Sequence, residues 1–354
     1  MIVRRAATMV LAAVLGTMGL SVASAAPSGA AHATELGVNV AIYDQWPDDA
    51  DALAAADQTF SYLEGLGATA VALNFFFGVD GSSGTTVSAE PGLTPSPTLL
   101  GSMIDDAASH GLAVELRPLL DETTVAPQWR GSIHPSDPAA WFASYRAFLA
   151  PYVALASSHP VHRFVLAAEL VSMIRYGAKW QHVIREVSAT TSTTHTQLSV
   201  DGNWWPVVGV PGIGYGMDFY QPVIFPDGVS PSVRHFQAAM ASNLAGTFTS
   251  PGSTPPVPLR QLVLSEVGLA AVRGAWNQPY NTFAGQPVTI ARKVQAHWFT
   301  AACQTAKAEH LRGIYFWAVF LAPGKSPTED DSASPYEWVV TTSADAIRAC
   351  FTAP

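Results

Sequence analysis

Hydrophobic and polar positions along the chain fall into two alternating kinds of segment. Short apolar runs occupy 36–42, 68–75, 112–116, 164–168, 197–200, 214–219, 262–265 and 313–317. Most are apolar along their whole length rather than at every second position. That is the pattern of strands buried on both faces of a parallel sheet. Between them lie longer segments with helical spacing, at 48–66, 97–110, 138–156, 178–188, 232–244, 289–310 and 343–351. Asp137 before Pro138 supplies an N-cap and a preset φ at the first helical position. Gly111 suits the left-handed turn that closes the second helix. Eight strands with a helix after nearly every one predict a single (β/α)8 barrel over residues 36–354. The exception follows the fifth strand, where 201–212 carries Gly and Pro without helical period, so that helix is expected to be short or missing. The longest irregular loop, 250–258, precedes the seventh strand. A doubly wound open sheet is the rival architecture, but Ile42-Tyr43-Asp44-Gln45-Trp46 after the first strand is no glycine-rich phosphate loop.

The N-terminal segment stands outside this alternation. Arg4 and Arg5 precede an apolar stretch at 6–20, and Val22-Ala23-Ser24-Ala25-Ala26 offers the small residues of a signal-peptidase site. Residues 1–25 therefore read as a secretory signal peptide and 26–35 as a disordered leader. The paired arginines lack the rest of a twin-arginine motif. No second apolar run is long enough to span a membrane, so the mature protein is expected to be secreted, free of the membrane and monomeric. Of the full chain's 354 residues only 13% are charged, 10% are aromatic, and the net charge is -9. That balance disfavours nucleic acid as a partner and suits a neutral ligand. The only two cysteines, Cys303 and Cys350, fall in the last two helical segments. In a secreted chain they suggest a disulfide, with two buried thiols as the alternative. The ten histidines are scattered without metal-ligand spacing, so neither a metal nor an organic cofactor is expected.

Active sites of such barrels lie where the strands end. Tyr43, Asp44 and Trp46 follow the first strand. Asn74 to Phe77 follow the second, and Arg117, Asp121, Glu122, Trp129 and Arg130 the third. Glu169 follows the fourth strand, and Asp201, Asn203, Trp204 and Trp205 the fifth. Asp218 and Tyr220 follow the sixth, Glu266 and Trp276 the seventh, and Trp317 and Trp338 the eighth. Glu169 and Glu266 close apolar runs where a carboxylate has no packing role. They sit on strands nearly opposite in the ring, so both can reach one central cleft. Two carboxylates facing a cleft are the minimal equipment for cleaving a glycosidic bond. Of ten tryptophans, seven map to that face, and Trp141, Trp180 and Trp298 to helices. Flat indole faces on polar loops suit the C–H face of a sugar ring.

At this point the chain resembles a known family. Trp129-Arg130-Gly131-Ser132-Ile133, the helix from Trp141 to Tyr145, Ala167-Ala168-Glu169-Leu170 and Trp180-Gln181-His182-Val183-Ile184-Arg185 match in order. Asn203-Trp204, Asp218-Phe219-Tyr220-Gln221-Pro222, Ser265-Glu266-Val267-Gly268 and Tyr315-Phe316-Trp317 continue the series. Together these stretches resemble glycoside hydrolase family 113, the β-mannanase family within the large clan of retaining barrel glycosidases. The resemblance implies Glu169 as general acid/base and Glu266 as nucleophile. It implies a hydrogen bond from Tyr220 to Glu266, and positive charge from Arg117 or Arg130 nearby. Trp317 would floor the cleft, and Asn203 would reach sugar hydroxyls. Trp46, Trp129, Arg130, Trp204 and Trp276 complete the expected substrate-binding set. The implied activity is retaining cleavage of a β-linked polysaccharide, endo-β-1,4-mannan first, without cofactor. One departure stands out. Most of the wider clan places Asn directly before the acid/base, and this chain has Ala168, so the contact to the sugar 2-hydroxyl must come from elsewhere. Two alternatives stay open: the same mechanism on another glycan, such as a cell-wall polysaccharide, and a non-catalytic carbohydrate-binding barrel that kept the cleft. A serine-esterase type of hydrolase has no G-x-S-x-G elbow to stand on.

Overall fold

The computed structural model describes residues 34–125, 129–191, 196–201, 210, 212–226, 229, 231–249, 258–326, 329 and 334–353. The expected signal peptide, nearly all of the leader, the 202–209 segment after the fifth strand with Asn203 and Trp204, and most of the 250–258 loop lie outside them.

Nine strands are present among the described residues: β1 (Glu35–Ile42), β2 (Ala70–Val79), β3 (Val87–Ser88), β4 (Ala113–Leu120), β5 (Val161–Ala168), β6 (Gln197–Asp201), β7 (Ile213–Asp218), β8 (Leu262–Val267) and β9 (Gly313–Leu321). All but β3 run parallel in one ring. β1 pairs with β2 on one side and β9 on the other, which closes the barrel. The two-residue β3 lies antiparallel on the end of β2, outside the ring. Helices α1 (Asp49–Leu66), α2 (Pro97–Ser109), α3 (Glu122–Val125), α4 (Pro138–Ser158), α5 (Gly177–Thr191), α6 (Val233–Thr249), α7 (Arg292–Ala308) and α8 (Thr342–Thr352) fill the connections. The molecule is a (β/α)8 barrel, as the alternation of segments predicts.

Local sequence explains the element ends. Asp48 caps α1 by accepting from the Asp51 N–H at 2.9 Å, and Gly67 ends it at φ 87°. Asp137 accepts from both Ala139 and Ala140 at the start of α4, with Pro138 in the first turn. Gly111 takes the left-handed conformation two residues beyond the end of α2. Strands β2, β4 and β9 run several residues past their expected ends. Asn74, Arg117 and Trp317 sit inside these strands, not after them.

An aromatic layer joins helices to barrel. Trp141 and Trp180 meet edge-on at 6.3 Å, and the buried Tyr145 hydroxyl donates to the Leu166 carbonyl at 2.7 Å. Trp298 stacks edge-on against Phe236 at 5.3 Å. All three helical tryptophans are core, as expected. Cys303 on α7 and Cys350 on α8 form a disulfide, with 5.9 Å between their Cα atoms. Closing that loop is worth about 4 kcal/mol on the chain-entropy account. Among the described residues no helix is long and apolar enough to cross a membrane.

Candidate active site

The polar residues that interrupt the strands meet inside the barrel. Asn39 of β1 donates to the Ser265 carbonyl at 2.9 Å, and Asn74 of β2 donates to Asn39 Oδ1 at 3.0 Å. Arg117 of β4, fully buried, donates to Asn74 Oδ1 at 3.2 Å. Its guanidinium then spreads over three carboxylates. Nε donates to Asp201 at 2.9 Å, Nη2 to Asp218 at 2.7 Å, and Nη1 to Glu266 Oε1. One planar fork thus fixes the ends of β6, β7 and β8 relative to one another. Gly216 makes this possible, because a Cβ there would fall 2.0 Å from both Asp201 Oδ1 and Ser265 Oγ.

Glu266 has both oxygens held: Arg117 binds Oε1, and the Tyr220 hydroxyl donates to Oε2 at 2.8 Å. Burial pushes its carboxyl above the ordinary value and the Glu169 charge adds to this, while Arg117 and Tyr220 pull it back. Tyr220 also contacts the Tyr336 hydroxyl. Gly268, two residues beyond Glu266, leaves room for that contact. A Cβ there would lie 2.2 Å from Tyr336 Oη and 3.3 Å from Tyr220 Cε1.

Glu169 directly follows β5 with φ 55°, in the left-handed region that a glutamate rarely occupies. Its environment differs from that of Glu266. Trp129 Nε1 donates to Oε2 at 3.3 Å, and Arg130 Nε lies 3.6 Å from the same oxygen. The Trp129 indole folds back over Gly131, where a Cβ would meet the ring at 2.1 Å. Trp129 and Arg130, expected to bind substrate, therefore also brace Glu169. Arg117 serves Glu266, and Arg130 serves Glu169.

One cavity of about 800 Å³ opens where the strands end, with Glu169, Glu266, Asp218, Tyr220, Trp317 and Tyr336 in its wall. Trp129 and Arg130 line it too. Trp317 meets Tyr43 at 6.4 Å and Phe320 edge-on at 6.2 Å, and Tyr43 stacks on Phe76 at 3.8 Å. Of these rings only Trp317 lines the cavity. Three of the expected loop tryptophans lie elsewhere. Trp276 is buried against Phe236 and Phe225, at 5.8 and 6.3 Å. Trp338 is wholly buried near Phe299. Trp46 packs against the core and does not line the cavity. Their loops fold back onto the helix layer, so indoles that look available in sequence fill hydrophobic space. Asn203 and Trp204 lie outside the described residues. Asp218, Tyr280, Thr282 and Tyr336 line the cavity without having been singled out as binding residues. Of these, only Asp218 carried a visible signal, a carboxylate closing a strand.

A closed barrel with two glutamates at one cleft partly lined by aromatic rings is the layout of a barrel glycosidase. Residues 50–337 match the family model for Glycoside Hydrolase Family 113, and the chain belongs to that family. No curated protein matches the sequence. Among solved structures, a GH113 β-1,4-mannanase aligns with a TM-score of 0.71 at 16% identity, covering 91% of this chain and 100% of that one. The GH113 β-mannanase AaManA from Alicyclobacillus acidocaldarius, in complex with ManMIm, aligns at 0.68 and 19% identity, covering 90% and 97%. The endo-β-1,4-mannanase from Thermotoga petrophila aligns at 0.52 and 14% identity, covering 91% and 77%. At these identities the structural likeness speaks to fold, and the family match identifies the chain as a glycoside hydrolase.

Proposed function

We propose that the protein is a secreted, monomeric, retaining endo-β-1,4-mannanase in which Glu266 is the nucleophile and Glu169 the acid/base. The observation that carries this is the unequal holding of the two glutamates around one cleft. Glu266 is buried with both oxygens fixed by Arg117 and Tyr220. That suits attack from a set position on an anomeric carbon. Glu169 is more open, near an indole N–H and a guanidinium. It can give its proton to the departing glycosidic oxygen.

In the first step Glu266 forms a bond to the anomeric carbon as the C–O bond to the leaving sugar breaks, and Glu169 protonates that oxygen. In the second, Glu169 takes a proton from water, which attacks the same carbon and releases Glu266. The unusual φ of Glu169 supports a functional role, because backbone strain persists where surrounding structure holds it for a purpose. Trp317 supplies an apolar face for the sugar at the cleavage point. The family and the likeness to solved β-1,4-mannanases support the substrate, and the N-terminal pattern, a signal peptide over 1–25 before a short leader, supports secretion.

The test is incubation of mature wild type and Glu266→Gln with β-mannan, glucomannan, xylan, cellulose and cell-wall glycans. New reducing ends are read, and the anomeric configuration of early products is followed by NMR. Wild type is expected to cut mannan with retention, and the variant to lose at least about 1,000-fold in kcat. Inversion, or undiminished turnover by the variant, would sink the mechanism. Retention on another glycan would replace the substrate alone. Sugar binding without release would favour a carbohydrate-binding barrel.

A further inference from the structure

Beside the proposed nucleophile, Asp218 has an oxygen that the protein leaves unused. Its side chain is 4% exposed, and Oδ1 accepts from Arg117 Nη2 at 2.7 Å. Oδ2 is buried without a hydrogen-bond partner, although Asp218 lines the cleft. A buried carboxylate oxygen is ordinarily satisfied, so a site where it is not calls for a ligand.

Resting on the hydrolase reading above, we propose that Asp218 Oδ2 binds the hydroxyl on the carbon next to the anomeric carbon of the sugar being cleaved, and so helps determine which sugar is accepted.

Geometry points to that hydroxyl. Asp218 pairs with Glu266 across the β7–β8 register. Both carboxylates hang from one guanidinium, Glu266 on Nη1 and Asp218 on Nη2. When Glu266 meets the anomeric carbon, the carboxylate at its flank faces the substituent one bond away. Several other groups close by are already engaged. Tyr220 donates to Glu266. Asn74 donates to Asn39 and to the Ala72 carbonyl. Asp201 takes Arg117 Nε and the Ser199 hydroxyl. Ala168, the residue before Glu169, offers only a methyl. Hydrogen bonds to this hydroxyl strengthen as the ring gains oxocarbenium character. Burial, with the charges of Glu266 and Glu169 adding, raises the Asp218 carboxyl well above the usual aspartate range against the pull of Arg117. A hydroxyl suits either protonation state, since it both donates and accepts.

The test compares wild type, Asp218→Asn and Asp218→Ala on an aryl β-mannobioside and on its analogue lacking the 2-hydroxyl of the sugar that carries the aryl group. The readout is the ratio of kcat/KM for the hydroxylated over the deoxy substrate, with melting curves to confirm folding. That ratio is expected to fall at least about tenfold in Asp218→Ala and by less in Asp218→Asn, on top of any loss through Arg117 that both substrates share. Equal losses on both substrates would overturn the proposal, because they would show that Asp218 acts only by holding Arg117. Asp218→Asn keeps the acceptor for Arg117 and the volume but offers the hydroxyl an amide N–H in place of a carboxylate oxygen, and a wild-type ratio in a folded variant would overturn the proposal. A wild type that hydrolyses neither glycoside would overturn the hydrolase reading, and this inference with it. Loss of discrimination only in the variants separates the two.

Discussion

Tyr220 shows how a single hydroxyl can set the working range of a buried carboxylate. Burial raises the Glu266 carboxyl, and the Tyr220 hydrogen bond is one of two influences opposing it. On the proposed reading Glu266 is the nucleophile and must be ionised, so rate rises with pH through its titration, and the acidic limb of kcat/KM reports it. Removing a donor that favours the charged form moves that titration upward. Tyr220→Phe is therefore expected to shift the acidic limb to higher pH and lower kcat by about tenfold or more. A pH profile with an unmoved acidic limb would remove Tyr220 from this role. At this scale the sequence was legible for the two glutamates that the fold brings to one cavity. Glu169 and Glu266 stand out because carboxylates end apolar runs. Trp276 and Trp338 misled because residue type and loop position do not reveal packing, and both indoles are buried in the hydrophobic layer.

The exit of β8 depends on one glycine. Gly268 lies where Tyr336 and Tyr220 meet, with 2.2 Å from an added Cβ to Tyr336 Oη and 3.1 Å to Tyr336 Cζ. Gly268→Ala must push Tyr336 aside and disturb the Tyr220 that holds Glu266. Expected effects are a drop in kcat of about tenfold or more and a stability loss of about 1–3 kcal/mol from overpacking. Adding Tyr336→Phe removes the nearest clashing atom and should recover part of the stability, measured by denaturant melts. No recovery would place the strain elsewhere. The eight strands of the ring were legible in number and order, less so in length. Asn74, Arg117 and Trp317 look like the polar mouths of β2, β4 and β9, yet the strands continue beyond them. A barrel interior can bury polar side chains if they satisfy one another, as Asn39, Asn74 and Arg117 do. A sequence pattern that treats polarity as a strand end cannot see such a layer. The two-residue β3 carries too little pattern to register at all.

The barrel as a whole is legible because its eight strand-like runs follow one repeating rule, but its closure depends on contacts between residues far apart in sequence. At the end opposite the cleft, Glu35 of β1 collects donors from several strands and their leads. Arg163 of β5 reaches it through Nη2 at 2.7 and 2.8 Å, His162 at 3.1 Å, Tyr315 of β9 at 3.1 Å, and Arg312 at 3.3 Å. Gly37 allows the Tyr315 ring to lie there, since a Cβ would come within 2.3 Å of it. The Arg163 link crosses the floor from β5 to β1, strands separated by β2 and β4. Burial works to raise the Glu35 carboxyl, but the His162 hydrogen bond and the Arg163 charge more than offset it, leaving it well below the usual carboxylate range. A carboxyl depressed on folding adds stability that is present above its unfolded value and is lost as pH falls through its folded value. Glu35→Gln keeps the shape and removes the charge. It is expected to cost about 2–3 kcal/mol at pH 7. The difference from wild type should stay level down to about pH 4.5 and shrink below it, as the wild-type carboxyl begins to lose its advantage over the unfolded chain. Urea melts of both proteins across this range would measure it. A penalty that stayed level at low pH would mean that Glu35 ties the barrel floor through something other than its charge.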